Sequence, residues 1–218
     1  MIEFGNKATV LIVDDHPLVR AGLANRISLE PDLKIFGQAS SEAEALDLIR
    51  DEQPDLAVID VSLKGSNGLD LVRQIHNRFS SVRVLVISAF REAIYGERAL
   101  RAGALGYMNK QESDEKLIEA IRTVIKGRRF VSQSMTQRLV SQALDGSPEL
   151  NGVERLTDRE LEVFRMIAEG HSSGLIANKL FISTHTVDTH RENIKRKLGT
   201  RNASELTRYA VQWLLENH

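Results

Sequence analysis

The sequence predicts two folds in tandem: a doubly wound, five-stranded parallel α/β sheet, joined to a small all-α domain of four helices. Three observations carry this. Between Thr9 and Lys126, short β-branched runs alternate with helical patterns five times. From Leu156 onward no strand pattern remains. Between the halves stand Asp145-Gly146-Ser147-Pro148 and Asn151-Gly152, which are turn and linker residues. The reading is one α/β domain over residues 1–127, a partly helical linker over 128–153 and a helical domain over 154–218.

The expected strands are Thr9–Val13, Leu33–Ala39, Leu56–Ile59, Val82–Ile87 and Ala104–Met108. Helices are expected over Pro17–Glu30, Ser41–Glu52, Gly68–Arg78, Glu92–Ala102 and Ser113–Lys126. Ser41-Glu42-Ala43-Glu44 fits a capping box. Alternating units of this length imply a parallel sheet with helices on both faces. Ser132–Leu144 reads as a helix extending the connection. The second half reads as helices over Leu156–Gly170, Ser172–Leu180, Thr184–Leu198 and Asn202–Glu216. Thr157 and Glu160 form a second capping box, and Gly170 suits a left-handed helix end.

Composition narrows the function classes. Hydrophobic residues make up 42% and charged residues 27%, ordinary for a globular protein. Cysteine is absent, which excludes disulfides and cysteine metal sites. No apolar run approaches the roughly 20 residues of a membrane span, and Met1 to Lys7 lacks a signal-peptide core. A cytoplasmic protein without a membrane partner is expected. The net charge of −1 hides a basic stretch: Arg191 to Arg201 holds five cations against Glu192. A polyanion fits there.

Three carboxylates fall at strand ends: Asp14 and Asp15 after the first strand, and Asp60 at the end of the third. In a doubly wound sheet the crevice lies beyond the carboxyl ends of the strands, where strand order reverses. Clustered carboxylates repel unless a cation sits among them. A hard divalent ion, Mg²⁺, is the natural occupant, and one carboxylate can then attack phosphorus. Ser88, ending the fourth strand, can donate to a phosphoryl oxygen, and Lys110, after the fifth, can neutralise the transferring group.

Val13-Asp14-Asp15-His16-Pro17-Leu18-Val19-Arg20 resembles the opening of receiver domains of two-component response regulators. So do Asp60 with Asn67-Gly68, Ser88-Ala89, and Gly103-Ala104 leading to Gly106-Tyr107 and Lys110. The resemblance spans about Thr9 to Lys126 and implies a flavodoxin-like receiver. It makes Asp60 the phosphoacceptor, and Asp14, Asp15, Asp60 and the Ser62 backbone carbonyl the Mg²⁺ site. Ser88 becomes the switch hydroxyl, Lys110 the phosphoryl clamp and Tyr107 the switch aromatic. Two departures stand out. Lys64-Gly65 replaces a common Pro, and Phe90 stands where relatives often have His.

Leu156-Thr157-Asp158-Arg159-Glu160-Leu161-Glu162-Val163, Ile176-Ala177, Leu180 to Ser183, Thr186 to His190 and Ile194 to Gly199 resemble the LuxR/NarL-type helix-turn-helix. Together the halves resemble NarL/FixJ-type response regulators. At about 100° per residue, Val187, His190, Ile194 and Leu198 face the core. His185, Asp188, Thr189, Glu192, Lys195 and Arg196 are the candidate DNA residues, the last two for phosphates. Arg191 and Lys197, near the buried boundary, suit packing as well as DNA. Relatives often carry Lys where Asp188 or Glu192 stands. Leu206, Ala210 and Trp213 of the last helix are the candidate dimer contact.

The expected function is that of a transcription factor. A sensor histidine kinase phosphorylates Asp60 with Mg²⁺, which promotes homodimerisation and binding to double-stranded promoter DNA. It is not expected to be an enzyme beyond self-catalysed phosphotransfer to Asp60 and autodephosphorylation. An aspartate-nucleophile phosphatase needs a second acid where Ser62 stands. A phosphorylation-independent regulator, using the receiver only to dimerise, is the alternative; the complete acidic pocket argues against it.

Overall fold

Five strands form close to the predicted runs: β1 Ala8–Val13, β2 Leu33–Ala39, β3 Leu56–Asp60, β6 Arg83–Ser88 and β7 Gly106–Asn109. All pair in parallel, in the order β2-β1-β3-β6-β7. Parallel strands covered on both faces read as continuous apolar runs. Accordingly every residue of β3 is buried, as are Val10 to Val13 of β1. The chain winds from β1 to β2 on one side and then to β3 on the other. The switch point therefore lies between β1 and β3, the two strands that end on Asp14 and Asp60. The structure, a computed structural model, describes residues 7–63, 65–145 and 152–217. Lys64 and the predicted turn residues 146–151 lie outside these. The chain divides into two compact units, residues 1–136 and 137–218.

Helices α1 Pro17–Ser28, α2 Glu42–Asp51, α3 Gly68–Arg78, α4 Glu92–Ala102 and α5 Asp114–Ile125 cover the sheet. Leu117, Ile118, Ile121 and Val124 give α5 a buried face at helical spacing. The Ser41–Glu44 box is only half formed. Ser41 Oγ accepts the Glu44 N–H at 3.3 Å, but the Glu44 carboxylate turns back to the Ser40 N–H at 2.7 Å.

A feature without periodicity follows β3. β4 Ser62–Leu63 and β5 Ser66–Asn67 pair antiparallel around Gly65, which has φ +80°. Two residues per strand are too few to show alternation. This hairpin delivers Gly68 onto the end of β3. A Cβ at Gly68 would lie 2.0 Å from the Asp60 carbonyl oxygen, so the start of α3 can press against the end of β3 only as glycine.

Residues 128–136, read from sequence as linker, pack on the first unit. The Phe130 N–H donates to Leu105 O at 3.0 Å, and Tyr107 N–H to Phe130 O at 2.9 Å, beside β7. The Ser132 N–H donates to Glu92 Oε1 of α4 at 2.8 Å. Met135 is buried at the start of α6 Gln133–Asp145.

The second unit holds α7 Asp158–Ala168, α8 Ser173–Leu180, α9 Thr184–Leu198 and α10 Ala203–Asn217, after a short 3₁₀ turn over Gly152–Arg155. Leu161, Phe164 and Ile167 of α7, Ile176 and Leu180 of α8, and Val187 and Ile194 of α9 are all buried, with α9 packed on both α7 and α8 and α10 packed on α7. The Thr157–Glu160 capping box is complete. Gly170, at φ +81°, ends α7, with His171 N–H returning to Met166 O at 3.0 Å.

Candidate functional site

β1 and β3 are adjacent and parallel, so their ends place Asp14 and Asp60 side by side. Both are buried, at 0% and 2% exposure. Lys110, from the loop after β7, reaches between them. Its Nζ donates to Asp14 Oδ2 at 2.7 Å and lies 2.8 Å from Asp60 Oδ2. Its backbone N–H donates to Ser88 O at 2.8 Å, which ties the clamp to the end of β6. Burial pushes the Asp60 carboxyl up to about 6, against the nearby Lys110 ammonium; the Asp14 charge adds to the rise. Burial works against charge on Lys110, but Asp60 and Asp14 outweigh it, so its ammonium is held above the usual range.

Asp15 lies beside this pair. Its Oδ1 is buried and makes no hydrogen bond, although His16 Nδ1 stands 2.7 Å away. Asp14, Asp15, His16 and Asp60 offer donor atoms that all lie within 4.8 Å of one another. An unsatisfied buried carboxylate oxygen inside such a group fits a divalent cation. Asp14, Asp15 and Asp60, all expected metal residues, therefore come together. His16 was not among the expected ligands; its place in the Asp14-Asp15-His16 run was the available signal.

Ser88 and Tyr107, expected as switch residues, converge on Phe90. Its N–H donates to Ser88 Oγ at 3.2 Å, and its carbonyl accepts from Tyr107 Oη at 2.7 Å and Asn109 Nδ2 at 3.0 Å. Its ring lies 5.1 Å from that of Tyr95 on α4. Tyr107 is 1% exposed. The expected switch aromatic therefore already faces inward. Burial holds its phenol well above the usual range, against a hydrogen bond from Ser88.

In the second unit, His185, Asp188, Thr189, Glu192 and Arg196 are exposed along α9, as their helical spacing predicts. Several are already engaged. Asp188 Oδ1 accepts from Ser173 Oγ at 3.0 Å, which joins α9 to the start of α8. Lys195 Nζ pairs with Glu192 Oε1 at 2.7 Å, and Arg196 donates to Asn193 Oδ1 at 2.8 Å. Thr189 Oγ1 donates to His185 O at 3.0 Å. Lys197 Nζ pairs with Glu160 Oε2 at 2.5 Å, and the same oxygen closes the capping box on Thr157 N–H. Burial raises the Glu160 carboxyl, but Lys197 and the Thr157 N–H hold it below the usual range. His190 is half-buried, and burial together with Arg159 lowers its imidazole. Arg159 also donates to Leu180 O at 2.8 Å, finishing α8. The first turn of α7 thus grips both helices of the motif, which no local sequence pattern announces.

The expected dimer stripe requires correction. Leu206 and Ala210 are 0% exposed within their own unit, and Trp213 packs edge-on against Phe164 with ring centroids 5.4 Å apart. Helical spacing identified a face whose Leu206 and Ala210 are taken up by the core, while Trp213 stays partly exposed. The exposed apolar residues of α10 are Tyr209, Val211 and Leu215.

Comparison with known proteins agrees with both halves. Residues 10–122 match the response regulator receiver domain, and residues 154–210 match the bacterial regulatory proteins of the luxR family. The oxygen regulatory protein NreC of Staphylococcus aureus is 34% identical over 209 residues, covering 93% of this chain and 96% of NreC. RcsB of Salmonella enterica serovar Typhimurium, solved bound to a promoter with the phosphomimetic BeF3-, is 26% identical with a TM-score of 0.66. That alignment covers 94% of this chain and 98% of RcsB. The receiver domain of a response regulator NarL from Mycobacterium tuberculosis is 33% identical with a TM-score of 0.55, covering 57% of this chain and all of that one. Among the described residues no helix is long and apolar enough to cross a membrane.

Proposed function

The chain belongs to the two-component response regulators that join a receiver domain to a LuxR-type DNA-binding domain, and from that premise we propose that Asp60 is the phosphoacceptor through which a sensor histidine kinase controls its binding to promoter DNA. The observation that carries this reading is the buried Asp60 carboxylate, 2.8 Å from Lys110 Nζ and beside Asp14. The Asp60 oxygen attacks the phosphorus of a phosphohistidine or small-molecule donor. The new O–P bond forms as the donor's bond to phosphorus breaks, leaving an acyl phosphate on Asp60.

Lys110 supplies positive charge where the phosphoryl oxygens gather. Asp14, Asp15, Asp60 and the Ser62 carbonyl would hold Mg²⁺, which neutralises phosphoryl charge when bound. Ser88 leaves its bond to the Phe90 N–H to reach a phosphoryl oxygen. Phe90 then shifts, and with it the Tyr107 and Asn109 side chains that end on its carbonyl. The new arrangement favours a homodimer on paired DNA half-sites. On α9, Lys195 and Arg196 are the phosphate contacts, while His185, Asp188, Thr189 and Glu192 lie along the face that enters the groove. Such a protein is cytoplasmic and is not an enzyme beyond its own phosphotransfer.

Incubation with a small-molecule phosphodonor and Mg²⁺, read by intact mass, tests this. Wild type gains one phosphoryl group and Asp60→Asn none. An Asp60→Asn chain that labels as well as wild type refutes the assignment. Unchanged oligomeric state and DNA affinity with a beryllofluoride mimic refutes the coupling.

A further inference from the structure

We propose that Glu92 is a positioning residue that reports the state of the acidic pocket to the chain leading out of the first unit, by latching the start of α6 to α4. This rests on the reading of Asp60 as phosphoacceptor and extends it beyond the pocket. Three observations carry it.

The first is the latch itself. Glu92 stands in the first turn of α4, 40 residues before Ser132. Both oxygens of its carboxylate are engaged there: Oε1 accepts from the Ser132 N–H at 2.8 Å and Oε2 from the Ser132 hydroxyl. The Ser132 hydroxyl oxygen in turn accepts the Met135 N–H at 3.1 Å, and Ser132 O accepts the Thr136 N–H at 3.0 Å. One serine therefore starts α6 and holds it to α4. One turn along α4, a Cβ at Gly96 would lie 2.7 Å from Glu92 Cγ and 3.6 Å from Met135 Cε. The absent side chain leaves room for Glu92 and the buried Met135 against the helix.

The second is the route from the pocket. Ser88 Oγ holds the Phe90 N–H, and the Phe90 ring lies 5.1 Å from that of Tyr95, buried on α4 three residues after Glu92. Tyr107 Oη ends on the Phe90 carbonyl, while the Tyr107 N–H donates to Phe130 O. Phe90 therefore meets α4 and β7, the same two elements to which the strap of residues 130–135 is bound. A shift of Phe90, once Ser88 leaves it, is felt at both of those anchors.

The third is where α6 leads. It runs from Gln133 to Asp145, past the boundary between the units after Thr136, and its Arg138 pairs with Glu154 inside the second unit. The helix that Glu92 holds by one end is the covalent path to the DNA-binding unit. Releasing that end changes the freedom of the path, with no contact between the units required.

Hydrogen–deuterium exchange on the full-length chain, with and without beryllofluoride and Mg²⁺, tests this. In wild type the mimic should speed exchange at residues 132–136 about tenfold, the worth of a hydrogen bond to a carboxylate. Glu92→Ala should exchange that fast without the mimic. It should also bind a duplex selected from a random library about fivefold more tightly than unphosphorylated wild type. Ser132→Ala should share the gain in affinity, and the double variant should exceed neither, because each change removes the same coupling. The proposal is overturned by strap exchange that ignores the mimic in a wild type that takes up phosphoryl groups, by single variants that bind DNA as wild type does, or by effects that add in the double variant. The acceptor reading fails separately, if wild type gains no phosphoryl group from a small-molecule donor. Glu92→Ala still decides the latch in that case, because its release needs no phosphate.

Discussion

The acidic pocket of the first unit and the helical second unit both place carboxylates at key positions, but they treat them oppositely. In the pocket, Asp14 and Asp60 share one ammonium, Asp15 Oδ1 has no hydrogen bond, and burial holds Asp60 at about 6. In the second unit three acids each have their own partner: Ser173 for Asp188, Lys195 for Glu192, and Lys197 with the Thr157 N–H for Glu160. An acid left short of positive charge is poised to take a cation or a phosphoryl group. An acid with a matched donor holds helices together. Asp188 and Glu192, where relatives often carry Lys, are thus partly internal structure.

The sharpest way to break this contrast is Asp60→Asn in metal-free buffer. The Asp60 carboxyl is held at about 6 in the fold against 3.8 ordinarily. The folded state therefore favours the protonated acid. That contribution is complete below pH 3.8 and is lost as pH rises through about 6. Above that, the ionised carboxylate costs about 3 kcal/mol. Asp60→Asn should accordingly melt higher than wild type at pH 8, by up to that amount, and lose its advantage near pH 4. A variant that is destabilised at pH 8 would show that Lys110 fully satisfies Asp60.

Acids of the second unit should respond with the opposite sign. Glu160→Ala removes the Lys197 pair and half of the capping box. Chemical denaturation should show a loss of about 2 kcal/mol, since Lys197 can rehydrate. Smaller still, Asp188→Ala removes a single exposed hydrogen bond to Ser173 and should cost about 1 kcal/mol or less. Its DNA affinity should not fall; a sequence-specific drop would return Asp188 to base reading. The smallest effect belongs to Lys195→Ala or Arg196→Ala, where the salt dependence of DNA binding should flatten by about one unit of slope each. The same measurement on Lys197→Met should leave the slope unchanged, because Lys197 faces Glu160.

The parallel α/β architecture was legible because most strands are apolar runs and most helices carry a 3.6-residue period, although Lys34 and Gln38 interrupt β2 and α1 buries only Ile27. Asp60, Asp14 and Lys110 were legible for a related reason: strand ends are easily counted, and the topology brings them together. What escaped was long-range or too short to be periodic. The β4–β5 hairpin has two residues per strand. The Lys197–Glu160 and Ser173–Asp188 contacts join residues on different helices. Leu206 and Ala210 show how spacing reveals a covered face without revealing what covers it. Glu44 had the correct position for a capping box, but its carboxylate had a nearer donor in Ser40.

The strap at Phe130 bears on how this protein can be taken apart. A fragment cut after Lys126 would carry every phosphotransfer residue, yet it would strip the Tyr107 N–H of its acceptor and bare the edge of β7. Unpaired strand edges invite association with other chains. A stand-alone receiver should instead be cut after Thr136, which keeps Phe130, Ser132 and Met135 in place. An oligomer seen only with the shorter fragment would then be a product of the scissors, not of signalling.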